Sequence, residues 1–153
     1  ERWGEADLQM VPRRIMRYVF AHDNGARARV ARDLGLPLPT LLGALNMPIA
    51  RWTAARVNAD EAAARAQMES LRATLDRVDA LIADGTIGDP AAPNAADFQI
   101  APSIRSLNAI GDLAPLLAGR PCDALSRRLL PRFQEVSEPM LPPDLRAAAG
   151  LSN

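Results

Sequence analysis

The sequence has few of the residues that build catalytic and metal sites. Among its 153 residues there is one cysteine, Cys122, and one histidine, His22. One cysteine cannot form an intrachain disulfide, and one histidine without a Cys/His cluster cannot build a zinc site. The sequence also lacks a P-loop, a dinucleotide-binding glycine fingerprint, a nucleophile elbow and an HExxH motif. We therefore predict no catalytic residue and no metal ligand in this chain.

The single cysteine can be interpreted in two ways. Cys122 follows the tripeptide GRP and lies close to a predicted helix start. The N-terminus of a helix can lower the pKa of a thiol and make it reactive. The alternative, which we favour, is that Cys122 is a small, partly buried apolar residue.

Aromatic residues are also scarce, with three phenylalanines, two tryptophans and one tyrosine. Runs of valine, isoleucine, threonine and aromatics, which are typical of strands, are missing, so the sequence predicts an all-α fold. No apolar run approaches the roughly 18 residues of a membrane span, and no signal peptide is recognisable. We therefore expect a cytoplasmic protein without a membrane partner. The chain starts with Glu1 rather than methionine, so we expect an excised domain that can have lost a targeting segment.

Lysine is absent, and all 18 basic residues are arginines, balanced by 18 acidic residues. A net charge of zero argues against a nucleic-acid partner or an anionic membrane partner. Arginines that bind phosphates would be clustered, whereas these are spread along the chain. We attribute the arginine-rich composition to codon bias in a GC-rich genome.

Apolar residues at helical spacing predict a bundle of about six or seven helices. We place the helices at 5–21, 26–34, 40–57, 60–83, 95–109, 113–118 and 122–130, with one further turn at 144–149. Pro12 is expected to kink the first helix, and Pro48 is expected to bend or break the third. Residues 1–133 form the predicted domain, and residues 134–153 form a proline-containing tail that packs on it or trails from it.

The longest predicted helix, at 60–83, has a clear buried stripe on one side and ion pairs on the other. We expect two i,i+4 pairs on its wet face, Glu61 with Arg65 and Arg72 with Asp76. Its stripe consists of Met68, Leu71, Leu75, Val78 and Ile82.

The stretch PNAADF predicts a carefully defined helix start. Asn94 is a good N-cap, and Asp97 at N3 can reach back to the Asn94 amide as a capping box. Pro93 and Phe98 occupy the positions of a hydrophobic staple. The following helix contains Pro102 within an apolar run, which fits a bent central helix held by its neighbours. Its expected core residues are Phe98, Ile100, Ala101, Ile104 and Leu107.

This ordered set of segments resembles the C-terminal all-helical domain of glutathione transferases. The capping box and ADFQIAP follow a long helix ending in LDRVDALIADG, with DLAPLLAGRP downstream and ERWGEADLQMVPRRI upstream, as in bacterial members. The resemblance covers roughly residues 1–133. In that family the cap is usually serine or threonine, whereas Asn94 stands here, and Asp97 matches the family's aspartate.

The resemblance implies that a second domain supplies part of the functional site. A thioredoxin-like N-terminal domain would hold most of the glutathione site and the residue that favours the thiolate. The helical domain would supply the apolar wall for a small hydrophobic electrophile and part of a homodimer interface. Glutathione would then be the co-substrate of the whole protein, and this chain alone would bind no cofactor and would not catalyse conjugation.

Candidates for the apolar wall lie on the first predicted helix. They are Met10, Arg14, Met16, Arg17 and Tyr18, with Phe20 and Arg13 beside them. Flexible methionines suit a permissive pocket, and the arginines can face the glutathione carboxylates or the domain interface. The alternative is that the apolar members belong to the core and the arginines to a solvated face.

Two other functions remain open. The chain can be a non-catalytic interaction module of the same fold, whose parent would lack a thiol-activating residue. It can also be the ligand-binding domain of a helical transcriptional regulator, which would require a helix-turn-helix ahead of Glu1.

Overall fold

The computed structural model describes residues 7–133 and 138–151, and within these ranges the chain contains helices and no strands. The predicted all-α class is confirmed. The described residues form nine α-helices: α1 Met10–His22, α2 Asn24–Asp33, α3 Pro39–Leu45, α4 Met47–Ala55, α5 Glu61–Ala83, α6 Ala95–Asn108, α7 Ala114–Leu117, α8 Pro121–Leu129 and α9 Pro143–Ala148. A 3₁₀ turn, Gly111–Leu113, precedes α7.

The helix count exceeds the predicted six or seven because one predicted segment divides and the tail adds α9. The segment 40–57 breaks at Asn46 into α3 and α4, and Pro48 is the second residue of α4, where its missing N–H costs nothing. The predicted start of the first helix at residue 5 lies outside the described residues. Pro12 lies in the first turn of α1, where a proline is tolerated.

The core lies between α1, α5, α6 and α8, which pack on one another. The predicted stripe of α5 is buried except for Ile82, which is partly exposed in the last turn. Fully buried side chains from five parts of the chain meet there: Leu8, Ile15, Met68, Leu71, Leu75, Ile104, Leu107 and Leu145.

The ion pairs on the solvent-exposed face of α5 differ from the two predicted. Arg72 reaches across to α9 and donates to the backbone carbonyl of Ala149 at 3.2 Å. Asp76 instead accepts from Arg120 at 2.7 Å. Arg65 lies 3.8 Å from Glu69, one turn further along rather than one turn back. The pair of Arg72 with Asp76 fails because both side chains find tertiary partners, whereas Arg65 takes the other acidic neighbour on the same helix.

The start of α6 has the predicted capping box. Asn94 Oδ1 accepts from the N–H of Ala96 at 2.8 Å and from that of Asp97 at 3.3 Å. Asp97 Oδ2 accepts from the N–H of Asn94 at 2.8 Å, and its Oδ1 accepts from Gly88 N–H at 2.6 Å. Asp97 is only 1% exposed. One carboxylate therefore ties the loop after α5 to the first turn of α6.

Phe98 was expected in the core, and that expectation is wrong; the hydrophobic staple with Pro93 stays a prediction. The residue surface of Phe98 is 58% exposed, and Pro93 is exposed as well. The buried face of α6 is set by Ile100 and Ile104, whereas Phe98 shares the opposite face with Pro102, four residues on. The Phe98 carbonyl, which loses its helical partner at Pro102, lies on a face that solvent can reach.

The C-terminal tail packs on the bundle over its described residues. Met140, Leu141 and Leu145 are buried in the core. The buried carboxylate of Asp112 accepts from the N–H of Met140 at 2.6 Å and from that of Leu141 at 3.0 Å. Asp112 thus anchors the extended approach to α9.

Candidate functional site

A groove of about 980 Å³ lies between α1, α2, the exposed face of α6 and the tail. Two lines of side chains at i,i+4 spacing form its walls. Helix α1 contributes Pro12, Met16 and Phe20, and α6 contributes Phe98, Pro102 and Ser106. Residues four apart on a helix share a face, so each wall is one stripe of a single helix.

The groove is mainly apolar at its walls and charged at its rim. Met140 of the tail also lines the groove, although it is largely buried in the core. Three arginines line the groove, Arg13, Arg29 and Arg32, together with two carboxylates, Asp33 and Glu138. A ligand with an apolar body and an anionic group would find partners for both parts here.

Arg29 is the arginine of this rim that has a buried donor without a partner in the described part of the chain. Its Nη2 lies 3.8 Å from a carboxylate oxygen of Asp23, a distance too long for a strong hydrogen bond. Its Nε is buried and has no hydrogen-bond partner among the described residues. A buried donor without a partner costs free energy, and an anion or a water in the groove can supply that partner.

The structure places only part of the predicted site in this groove. Met16 lines it, as do Phe20 and Arg13, which stand beside the predicted set. Met10 and Arg17 do not line it. Arg14 points elsewhere, because its Nε donates to the carbonyl of Val57 at 3.1 Å, beyond α4.

Tyr18 lines a smaller pocket of about 400 Å³ near the tail prolines. Its ring lies 4.5 Å from that of His22, centroid to centroid. Burial raises the pKa of the Tyr18 phenol, and the nearby carboxylates of Glu61 and Asp144 raise it further. The hydroxyl therefore stays protonated at neutral pH and can donate a hydrogen bond, but it cannot act as a base.

Cys122 is buried, and the prediction that a helix start could make it reactive is wrong. Burial raises the pKa of its thiol to about 12, and hydrogen bonding and charge repulsion from Asp79 add to the effect. The Cys122 N–H donates to the Asp79 carboxylate at 2.9 Å. This backbone donor at the helix start therefore already has a hydrogen-bond acceptor. The thiol is a packing group, and the favoured interpretation as a small apolar residue is confirmed. No three His, Cys, Asp or Glu residues of ranges 7–133 and 138–151 cluster as metal ligands.

Sequence reasoning missed most of the residues that line the groove, and four of them matter most for its chemistry: Phe98, Pro102, Arg29 and Met140. The first two carry a usable signal, because they are four residues apart and lie opposite Ile100 and Ile104 on α6. Arg29 and Met140 carry no such signal, since their position depends on how α2 and the tail dock.

No helix among the described residues is long and apolar enough to cross a membrane. Comparison of the chain with protein-family models, with curated proteins and with solved structures finds no match.

Proposed function

We propose that this chain is the helical domain of a glutathione-transferase-like protein, and that its groove receives the apolar body of a small electrophilic co-substrate. The groove is the observation that carries the proposal. Its two walls come from α1 and α6, which contain two of the four segments that carry the resemblance. The capping box at the start of α6 is a second feature in keeping with the resemblance.

The wall chemistry suits a permissive site for hydrophobic molecules. Met16 can change rotamer at little cost, and Phe20 and Phe98 offer large apolar faces. The arginines at the rim suit a carboxylate, which glutathione and its conjugates carry. Guanidinium groups bind carboxylates well because they offer several donors in one plane.

The chain by itself would not activate a thiol. Burial holds Cys122 protonated, and the phenol of Tyr18 also stays protonated. In this proposal a thioredoxin-like domain supplies the glutathione site and the group that favours the thiolate. The parent protein would act in the cytoplasm of a bacterium.

Calorimetric titration of this chain with a series of S-alkyl glutathiones tests the proposal. If the alkyl group enters the groove, each added methylene should strengthen binding by about 0.8 kcal/mol, or roughly fourfold in Kd. Glutathione itself, without an alkyl group, should give no measurable heat. Binding that does not depend on alkyl length, or no binding of the longest conjugate, would contradict the proposal.

Two methionines on α1 provide a matched pair of variants. Met16→Ala removes a wall of the groove and should weaken binding of the longest conjugate about tenfold, as expected for loss of one large apolar contact. Met10→Ala changes the same residue type on the same helix outside the groove and should leave Kd unchanged. Equal losses in the two variants would locate the ligand elsewhere.

The non-catalytic interaction module remains the second candidate, because α3 and α4 expose large apolar side chains. In that case neither the chain nor its parent would bind any of the S-alkyl glutathiones.

A further inference from the structure

Arg29 combines two features that no other described residue of this chain shares. Its Nε is one of four buried side-chain polar atoms without a hydrogen-bond partner in the ranges 7–133 and 138–151. The other three belong to Gln67, Arg105 and Arg146, and none of these residues lines the groove or the smaller pocket. Arg29 lines both cavities. A cation with an unused donor therefore lies where the two cavities adjoin.

Arg27, two residues earlier on α2, is by contrast fully used by the fold. Its Nε donates to the Gly43 carbonyl at 2.6 Å, and its Nη1 donates to the Phe20 carbonyl. These bonds tie α2 to α3 and to the end of α1. Within the described part of the chain, the one charged contact of Arg29 is the 3.8 Å approach of its Nη2 to Asp23. The Arg29 guanidinium can therefore turn towards a ligand without breaking a strong hydrogen bond.

Asp23 is a weak competitor for this guanidinium. One of its carboxylate oxygens accepts from the Gly25 N–H at 2.6 Å, as the N-cap of α2. The Asp23 side chain is 43% exposed, so water screens its charge from Arg29. Asp33, four residues after Arg29 on the same helix, lines the groove but forms no ion pair with it among the described contacts. The fold thus leaves Arg29 without a close counterion.

The other charged groups of the groove are exposed to solvent. They are Arg13, Arg32, Asp33 and Glu138. Water and salt screen exposed charges, so each of these groups should contribute little to the binding of an ion. The Arg29 side chain is only 28% exposed, and an ion pair gains strength as water is excluded from it. An anionic group should therefore bind at Arg29 rather than at the other two arginines.

The donor geometry and the charge of the groove indicate which anion fits. Nε and Nη2 lie along one edge of a guanidinium, and together they can donate to the two oxygens of a carboxylate. Three arginines and two carboxylates line the groove, so a single negative charge on the ligand balances them. The apolar walls of α1 and α6 begin beside this charge and suit a hydrocarbon chain.

We propose that the groove binds amphipathic carboxylates, with the carboxylate paired to Arg29 and the apolar chain along Met16, Phe20 and Phe98. This inference rests on the proposed function for the role of the groove as a co-substrate site. It narrows the co-substrate to a molecule that carries its own carboxylate, separate from those of glutathione. The binding step itself uses this chain alone.

Calorimetric titration with octanoate and octanamide tests the proposal, because the two molecules have the same chain and differ in the charge of the headgroup. Octanoate should bind at least about tenfold more tightly, as expected for a hydrogen bond to a charged partner. Butanoate has the same charge and four fewer methylenes. It should bind at least about 100-fold more weakly than octanoate if the chain lies in the groove.

Three variants locate the carboxylate. Arg29→Gln should lower the affinity for octanoate to that for octanamide, and its unchanged affinity for octanamide would show that the groove is intact. Arg51→Gln is the charge-matched control, since Arg51 is exposed on α4 and lines neither cavity. It should leave the Kd of octanoate unchanged. Arg32→Gln should weaken octanoate binding by less than about threefold, because Arg32 is exposed.

The results separate this proposal from the proposed function. Octanoate binding that depends on Arg29 supports the present proposal even where no S-alkyl glutathione binds, and in that case only the role in conjugation fails. Three results would overturn the present proposal: octanoate binding no tighter than octanamide, an equal loss in Arg32→Gln and Arg29→Gln, or no octanoate binding at all. If the S-alkyl glutathiones still bound with the expected dependence on chain length, the co-substrate would be neutral.

Discussion

Asn94 and Asp97 each accept a hydrogen bond from the other's backbone N–H, at 3.3 Å and 2.8 Å. The second oxygen of Asp97 accepts from Gly88 N–H at 2.6 Å. The Asp97 side chain is buried, and hydrogen bonds to a carboxylate are stronger than those between neutral groups. The start of α6 and the end of the α5–α6 loop are therefore fixed by the same group.

We expect Asp97→Ala to lower the free energy of unfolding by about 3 kcal/mol, because two amides lose a charged acceptor. The melting temperature should fall by roughly 6–12 °C, since each kcal/mol corresponds to about 2–4 °C in a chain of this length. Asp97→Asn keeps one acceptor oxygen, so its melting temperature should lie between those of the wild type and the alanine variant. Thermal unfolding followed by circular dichroism measures all three.

Asp89→Ala is the control for this comparison. Asp89 accepts one hydrogen bond, from Ala91 N–H at 2.8 Å, in an exposed part of the same loop. Its loss should change the free energy of unfolding by less than about 0.5 kcal/mol. If Asp97→Ala lowered the free energy of unfolding no more than this control does, the capping box would not stabilise the domain.

The cap could be predicted because it depends on four consecutive residues. The buried stripe of α5 could be predicted for a similar reason, since one helix period determines which residues share a face. Periodicity does not reveal which face turns inwards. Leu41 and Leu45 are spaced like core residues, yet they lie outside because Gly43 brings α3 against α2 on the opposite side.

The groove could be predicted only in part for the same reason. Met16 and Phe20 belong to a stripe that is visible in the sequence, but the opposite wall was assigned to the core. Phe98 is apolar and follows a helix cap, and these local features favour burial. It is exposed because α6 packs on α8 and α1 through the opposite face, which carries Ile100 and Ile104. That packing depends on tertiary structure, which no local window of the sequence contains.

Asp112 should control the attachment of the tail. Asp112→Ala leaves the N–H groups of Met140 and Leu141 without their acceptor and leaves Arg146 without the carboxylate 3.9 Å away. A loss of about 2 kcal/mol in local stability would speed amide exchange of residues 138–151 about 30-fold. Hydrogen exchange with mass spectrometry measures this segment separately from the bundle.

Asp144→Ala provides the control for the tail. Asp144 is an exposed carboxylate in the first turn of α9, where it contributes only through the helix dipole. Its removal should accelerate exchange only a few-fold. Equal acceleration in the two variants would show that Asp112 is not the anchor.

Gly43 should be irreplaceable in the contact between α2 and α3. An added Cβ would lie 3.0 Å from the backbone nitrogen of Ala28 and 3.0 Å from Asn24 Oδ1. Alanine favours a helix over glycine by about 0.5–1 kcal/mol. The contact with the α2 backbone would require a shift of a few tenths of an ångström between the two helices. We expect this strain to exceed the gain, so Gly43→Ala should destabilise the chain by about 1–2 kcal/mol.

Urea denaturation measures this loss, and Ala44→Ser is its neighbour control. Ala44 is exposed on α3, so the serine should cost less than about 0.5 kcal/mol. If Gly43→Ala were more stable than the wild type, α2 and α3 would have room to adjust, and the close approach would be incidental.

Cys122 should make the stability of the chain depend on pH in the alkaline range. The folded thiol keeps its proton up to a pKa of about 12, whereas the unfolded thiol ionises near about pH 8.5. Above that pH the unfolded state binds fewer protons than the folded state, so stability falls as the pH rises. Relative to Cys122→Ala, the wild type should lose about 2 kcal/mol between neutral pH and about pH 10. Urea denaturation of both proteins across this pH range measures the two stability curves. The difference between the curves cancels the contributions of Tyr18 and the arginines, which both proteins contain. Parallel stability curves would mean that the Cys122 thiol ionises equally easily in both states.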